Sequence, residues 1–140
     1  MRGKTFKSNF IAKAILWIVT LFYGYGALVH ILNMAGMSGF DWLNAPVKWQ
    51  VLDIVYLLLD LTVVVGLIRI ARVSVAAFYI AAISQIILYT IFRKWVIDVP
   101  ENYAVSPDQE SYLSVLVIFH VITLVLVTWA IRTRRKTKIQ

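Results

Sequence analysis

Residues 50–68, QVLDIVYLLLDLTVVVGLI, decide how this chain folds. The run is nineteen residues long, close to the ~20 mostly apolar residues an α-helix needs to cross a bilayer. It nevertheless carries two aspartates, Asp53 and Asp60. Ionisable groups in hydrocarbon cost several kcal/mol and usually face a bundle interior or a hydrated cavity. Being seven residues apart, the two acids differ by only about 20° around a helix, and Tyr56 falls on the same stripe. A span of this kind requires other helices around it.

Three further stretches supply them: Ala14–Asn33, Val73–Phe92 and Tyr112–Ile131, the last two without a formal charge. The composition agrees. Of 140 residues, 61% are apolar and 15% charged, against about 45–50% and roughly 25% in an average soluble domain. So small a body has too little interior to hide that much apolar surface, and disorder requires low hydrophobicity. The absence of cysteine excludes disulfides, thiolate metal sites, iron–sulfur clusters and cysteine nucleophiles. The expected fold is therefore all-α, a polytopic four-helix antiparallel bundle forming a single membrane domain over residues 1–140.

The links are short. Residues 34–49 carry Gly36, Gly39 and Pro46, residues 69–72 make a tight turn, and residues 93–111 carry Pro100, Pro107 and four acids. Charge predicts the orientation, because Lys and Arg accumulate on the cytoplasmic side. One side collects eleven bases and no acid: Arg2, Lys4, Lys7, Lys13, Arg69, Arg72, Arg132, Arg134, Arg135, Lys136 and Lys138. The other has Lys48, Arg93 and Lys94 among five acids, Asp41, Asp98, Glu101, Asp108 and Glu110. Both termini are thus expected in the cytoplasm of a bacterial-type inner membrane. Trp17 and Trp129 fall near the inner interface. Trp42, Trp49, Trp95, Tyr103 and Tyr112 fall near or beyond the outer one, where amphipathic rings prefer to be. The first span is expected to remain uncleaved, since its apolar run continues past Gly24 and Gly26 through Ile31 and Leu32. The basic tail reads as a topology determinant, or as a contact for anionic lipid. Nucleic acid is not expected as a partner, because no recognition module accompanies the charge.

The polar residues inside the spans are few: His30, Asp53, Asp60 and His120, with Gln85, Asn33 and Tyr23 as uncharged companions. At a rise of ~1.5 Å per residue, Asp53 lies roughly 4–5 Å deep with His30 at a similar level, Gln85 and His120 lie about 10–12 Å in, and Asp60 about 15 Å in. His30 and Asp53 could make a rim, and Asp60, Gln85 and His120 a floor. Tyr23, Ala27, His30 and Met34 share a stripe on the first span, while Ala77, Ala81, Ser84 and Gln85 give the third a small-residue face. Below this level stand only threonines, including Thr20, Thr62, Thr123 and Thr128. The expected picture is a pocket open outward and closed inward. Residues 34–49 should fold over its mouth, capped in part by Phe40, Trp42 and Trp49. Its ligand-binding residues are His30, Asp53, Asp60, Gln85, His120, Tyr23 and Tyr56.

Each polar residue also has a structural reading. Asp53 can reach interfacial water, and a carboxylate is favoured near a helix N-terminus. Asp60, His120, His30 and Gln85 can serve as interhelical hydrogen-bonders. The spacing is not a metal motif, and haem held by His30 and His120 would require rings at different levels to reach one plane. Neither metal nor haem is expected. No serine triad or phosphate-binding glycine loop is visible.

The layout resembles the DoxX-like family of small four-span membrane proteins. The resemblance rests on the glycine-containing stretch from Phe22 through Gly24, Gly26 and His30, on the irregular outer loop, and on the acid-bearing second span. That span runs from Leu52 and Asp53 to Gly66 and passes by a basic turn into an alanine-rich third span. Together these cover about residues 14–92. The resemblance implies a four-helix bundle and, for some relatives, respiratory or redox chemistry that includes quinone reduction. It carries over no catalytic residue. The expected function is that of a binding or accessory subunit for a lipid-like or quinone-like ligand or a redox partner. Alternatives are a proton-coupled small-solute transporter using Asp60, and an intramembrane enzyme with an Asp–His pair acting on a lipid. Expected partners are the bilayer, a hydrophobic small molecule or membrane subunit, and a second copy of the chain.

Overall fold

The computed structural model describes residues 2–137, with side chains described for residues 9–136. Lys138 and the side chains of Arg2, Lys4 and Lys7 lie outside the described residues. The described elements are helical: α1 (Arg2–Met34), α2 (Val47–Gly66), α3 (Arg72–Thr90), α4 (Arg93–Ile97) and α5 (Pro107–Thr137), with a 3-10 turn at Glu101–Tyr103. The stretches Asn9–Met34, Val47–Gly66, Arg72–Thr90 and Pro107–Lys136 are long and apolar enough to cross a membrane. The four long helices close a ring in which α1 and α3 each pack against both α2 and α5.

Helix ends follow local chemistry. At the end of α1, Gly36 stands at φ 69° while Met37 N–H bonds Leu32 O and Gly36 N–H bonds Asn33 O. This is the Schellman closure that favours glycine. The turn after α2 repeats it with Ala71 N–H to Gly66 O and Ile70 N–H to Leu67 O. Here Ile70 takes the left-handed place at φ 58°, and its packing against the apolar core offsets part of that strain. Nothing lies within 4 Å of a Cβ added at Gly36, so Gly36→Ala would act through the backbone alone. It is expected to cost about 1 kcal/mol, read as a thermal midpoint a few degrees lower in detergent. An unchanged midpoint would contradict the assignment.

Helix α5 starts five residues before the expected span. Ser106 N–H donates to Gln109 Oε1 (2.9 Å) and Gln109 N–H to Ser106 Oγ (3.3 Å), a reciprocal capping box. Pro107 takes the first helical position, where its missing N–H costs nothing, and Asp108 and Glu110 complement the positive helix end.

The apolar core occupies one end of the ring. Leu16 and Val19 of α1, Val63 of α2, Leu67 just beyond it, Phe78 of α3 and Val127 of α5 are buried together. Small residues let the backbones approach here: Ala12, Ala77, Ala81, Ala82 and Ala130 join the cluster. At Gly66 an added Cβ would run into Ser74 Oγ and Ala71 Cβ. The threonines at this end are internally satisfied. Thr20 and Thr62 donate to the carbonyls of Leu16 and Leu58, each at 2.7 Å, and Tyr79 Oη lies 2.6 Å from Thr128 Oγ1. Large apolar side chains including Ile18, Leu21, Val65, Val73 and Val125 face outward, as lipid contact requires.

Candidate functional site

At the other end the ring is hollow, and the hollow is polar. His30 is its pivot. The imidazole Nδ1 donates to Asp53 Oδ1 at 2.6 Å, Nε2 lies 3.9 Å from Asp60 Oδ2, and the ring stacks on Tyr56 at 6.5 Å and 17°. The stripes read from the sequence thus meet face to face, Asp53–Tyr56–Asp60 on α2 against His30 on α1. Tyr56 Oη lies 2.9 Å from Ser84 Oγ, which donates to Ala81 O, so the tyrosine is the donor and α3 is tied in. Asp60 is only 4% exposed. Its Oδ2 lies over Gly26, where an added Cβ would be 2.6 Å away.

His120 belongs to the same hollow but not to the same bond network. Its Nδ1 donates to Leu116 O at 2.7 Å, which leaves Nε2 as the free acceptor of a neutral ring. That atom is buried without a partner, and so is the hydroxyl of Tyr23. The two rings meet edge to face at 6.3 Å and 85°. Asp60 and His120, an Asp–His pair that the enzyme alternative could use, share no hydrogen bond. His30, expected at the rim, spans rim to floor and is the imidazole next to Asp60.

Two cavities adjoin. The inner chamber, about 180 Å³, is lined by Tyr23, Gly26, Asp60, Gln85, His120 and further aromatic residues. The outer vestibule, about 570 Å³, is lined by Asn33, Asp53, Phe40, Trp49 and residues of the 96–113 stretch. His30, Tyr56, Tyr89 and Tyr112 line both. All seven residues proposed from sequence line one cavity or the other. Tyr89 and Gly26 were not among them. Tyr89 stands one helical turn beyond Gln85 on α3, a spacing that could have revealed it.

The vestibule is roofed by two loops. Phe40, Trp49 and Tyr103 form a triangle of rings 6.0–6.2 Å apart, and Tyr103 Oη donates to Asp41 O at 3.1 Å. Trp42, expected beside them, instead lines a second pocket within residues 34–43, which shares Phe40 with the vestibule. Its place is taken by the stretch following α3, which the sequence left unassigned. That stretch is held by the start of α2: Trp49 Nε1 donates to Val96 O (2.9 Å), and Lys48 Nζ donates to Trp95 O (2.5 Å) and to Asp98 O. These carbonyls end the short helix α4, where a cation is favoured. Arg93 fastens the other side, donating to Ser114 Oγ (2.9 Å) and Glu110 O (2.5 Å).

No group of three His, Asp or Glu side chains converges as a metal site among the described residues. Both ring nitrogens of His30 face carboxylates. Compared with family models, curated proteins and solved structures, the chain matches none.

Proposed function

We propose that this chain is an integral membrane protein of the bacterial-type inner membrane, N-in and C-in, whose antiparallel four-helix bundle binds a lipid-like or quinone-like ligand through its outer face. The observation that carries this reading is an aromatic-walled chamber lined by two buried polar side chains, Tyr23 and His120, whose Oη and Nε2 have no protein partner. Orphaned buried polar groups are costly, and a ligand that completes them removes that cost. A few convergent polar groups in an aromatic-walled pocket also fit small-molecule binding.

Each residue has a role. The Tyr23 hydroxyl and His120 Nε2 bond the polar head of the ligand, His120 as an acceptor. His30, bonded to Asp53, stands beside Asp60 on the vestibule side. Tyr56 and Tyr89 form the throat. The orientation rests on the basic excess at the sealed end. Two of the three bases at the open end, Lys48 and Arg93, are engaged with backbone carbonyls, which explains their departure from the charge rule. The DoxX-like resemblance is part of the same proposal, with accessory service to a redox partner as its functional counterpart.

The test is co-purification. Protein extracted from native membranes in mild detergent is expected to retain a quinone or lipid at near-stoichiometric amounts by mass spectrometry. An Asp60→Ala, His120→Ala double variant should lose it at least tenfold. Unchanged ligand content in that variant would overturn the reading. Proton-coupled transport is the second reading, favoured by the His30 bridge between a deep and an outer carboxylate. Solute-dependent acidification of proteoliposomes would support it, and its absence would end it.

A further inference from the structure

The chamber's polar atoms differ in what they lack. Asp60 offers carboxylate oxygens whose nearest charged neighbour, His30 Nε2, is beyond hydrogen-bond distance at 3.9 Å. His120 offers the Nε2 lone pair, because its one proton is committed to Leu116 O. Tyr23 offers a hydroxyl whose lone pairs and proton are both free, so that it can accept here while its own proton turns to a further ligand oxygen. Around one small space the chain thus presents acceptors on three sides, from α1, α2 and α5. The charge has the same sign. Asp53 and Asp60 face a single imidazole, so with both acids ionised the group stays net negative even when His30 is fully protonated. The nearby cations are committed elsewhere: Arg93 to Glu110 and Ser114, and Lys48 to the loop carbonyls. Phe22, Tyr23, Tyr25, Tyr56, Tyr89 and Tyr112 wall the chamber, and aromatic faces attract cations.

We infer that the chamber takes a protonated primary amine, the ammonium head of an amphiphile whose apolar part lies in the vestibule or the lipid. An ammonium carries three N–H donors in a compact head, one each for the Asp60 carboxylate, His120 Nε2 and the Tyr23 hydroxyl. A quaternary ammonium satisfies the charge and the rings but donates nothing. An alcohol of the same chain donates once and carries no charge. A carboxylate or phosphate head would meet like charge at Asp60. The inference rests on the ligand-binding reading above and narrows its ligand to one head-group chemistry. An ammonium of this kind has two sources, a free amine and the ethanolamine head group of a phospholipid.

The experiment uses the unaltered full-length chain in nanodiscs of phosphatidylcholine and phosphatidylglycerol. Thermal stabilisation is titrated with hexylamine, hexyltrimethylammonium, hexanol and a short-tailed benzoquinone. Stabilisation by a ligand that binds only the folded state reports its affinity. Hexylamine is expected to bind at least tenfold more tightly than either hexyl analogue. Asp60→Asn should abolish that preference, and Tyr23→Phe and His120→Phe should each weaken amine binding about fivefold. Helix content by circular dichroism checks that the variants fold, while the ranking on the unaltered protein stands without them. A parallel arm replaces phosphatidylcholine with phosphatidylethanolamine and reads retained lipid by native mass spectrometry. Selective retention there, with competition by hexylamine, assigns the lipid as the source; a hexylamine shift without retention assigns the free amine. Hexanol or the quinone binding as tightly as hexylamine would overturn the ammonium head while leaving the pocket intact. No shift with any of the four, and no retained phosphatidylethanolamine, would overturn both this inference and the ligand-binding reading.

Discussion

Alanine at Gly26 is expected to reduce ligand binding by about 10–100-fold, whereas alanine at Gly24 leaves it within about twofold. Both glycines lie inside the last third of α1, two residues apart, and each replacement gains the same intrinsic helix propensity, up to about 1 kcal/mol. They differ in what the new methyl meets. At Gly24 the nearest atom is Val64 Cγ2 at 3.8 Å, an ordinary contact. At Gly26 it is Asp60 Oδ2 at 2.6 Å, with Cγ at 3.6 Å. The carboxylate must swing away, into the chamber or away from His30. Returning the carboxylate to its ligand-facing position against the new methyl is an overpacking cost of about 1–3 kcal/mol borne by the bound state, and each 1.4 kcal/mol is roughly tenfold in affinity. The pair is measured by ligand retention and thermal unfolding of both variants. Equal behaviour of the two would contradict the placement of Asp60 against α1.

The second large effect concerns the His30–Asp53 bond. A hydrogen bond to a charged group contributes about 1.5–3 kcal/mol, but the two side chains keep 19% and 15% of their surface, which weakens the interaction through solvent screening. Interhelical hydrogen bonds within membranes average about 0.6 kcal/mol by double-mutant cycles. The expected coupling for His30→Ala with Asp53→Ala is therefore about 1–2 kcal/mol, above that average because a charge is involved. His30→Ala should be the worse single change, since it leaves two carboxylates without their imidazole. Equilibrium unfolding in mixed micelles reads the cycle. Additive effects would mean that the contact does not hold the two helices.

Most of the helical framework was legible because membrane spans obey simple length and hydropathy rules. Ala14–Asn33 lies within α1, and the other three expected spans coincide with α2, α3 and α5 apart from their ends. The end of α5 was missed because hydropathy alone set the start at Tyr112, while Ser106 and Gln109 already spelled a capping box. The site residues were legible as expensive polar groups in apolar runs. Their pairing was not. Depth placed Asp60 near His120, but side-chain reach decides contact, and the imidazole of His30 extends inward from its own level to lie between two acids one above the other on α2. The roof was half legible: Phe40 and Trp49 lie on the loop expected there, whereas Tyr103 and Val96 arrive through a backbone tie to Lys48 and Trp49 that no periodicity encodes. Gly26 carries no side chain, so its close approach to Asp60 exists only in the packed structure.

As proposed above, the hollow opens at the outer membrane face and ends at a sealed apolar floor. The chain has no cysteine, so single replacements can be probed one at a time in intact cells with a small membrane-impermeant thiol reagent. Leu113→Cys in the vestibule and Gln85→Cys in the chamber are expected to react from outside, in that order of rate, while Val63→Cys in the core stays unreactive from either side. Labelling of Gln85→Cys only from the cytoplasmic face of inverted vesicles, or of Val63→Cys as fast as Gln85→Cys, would contradict it.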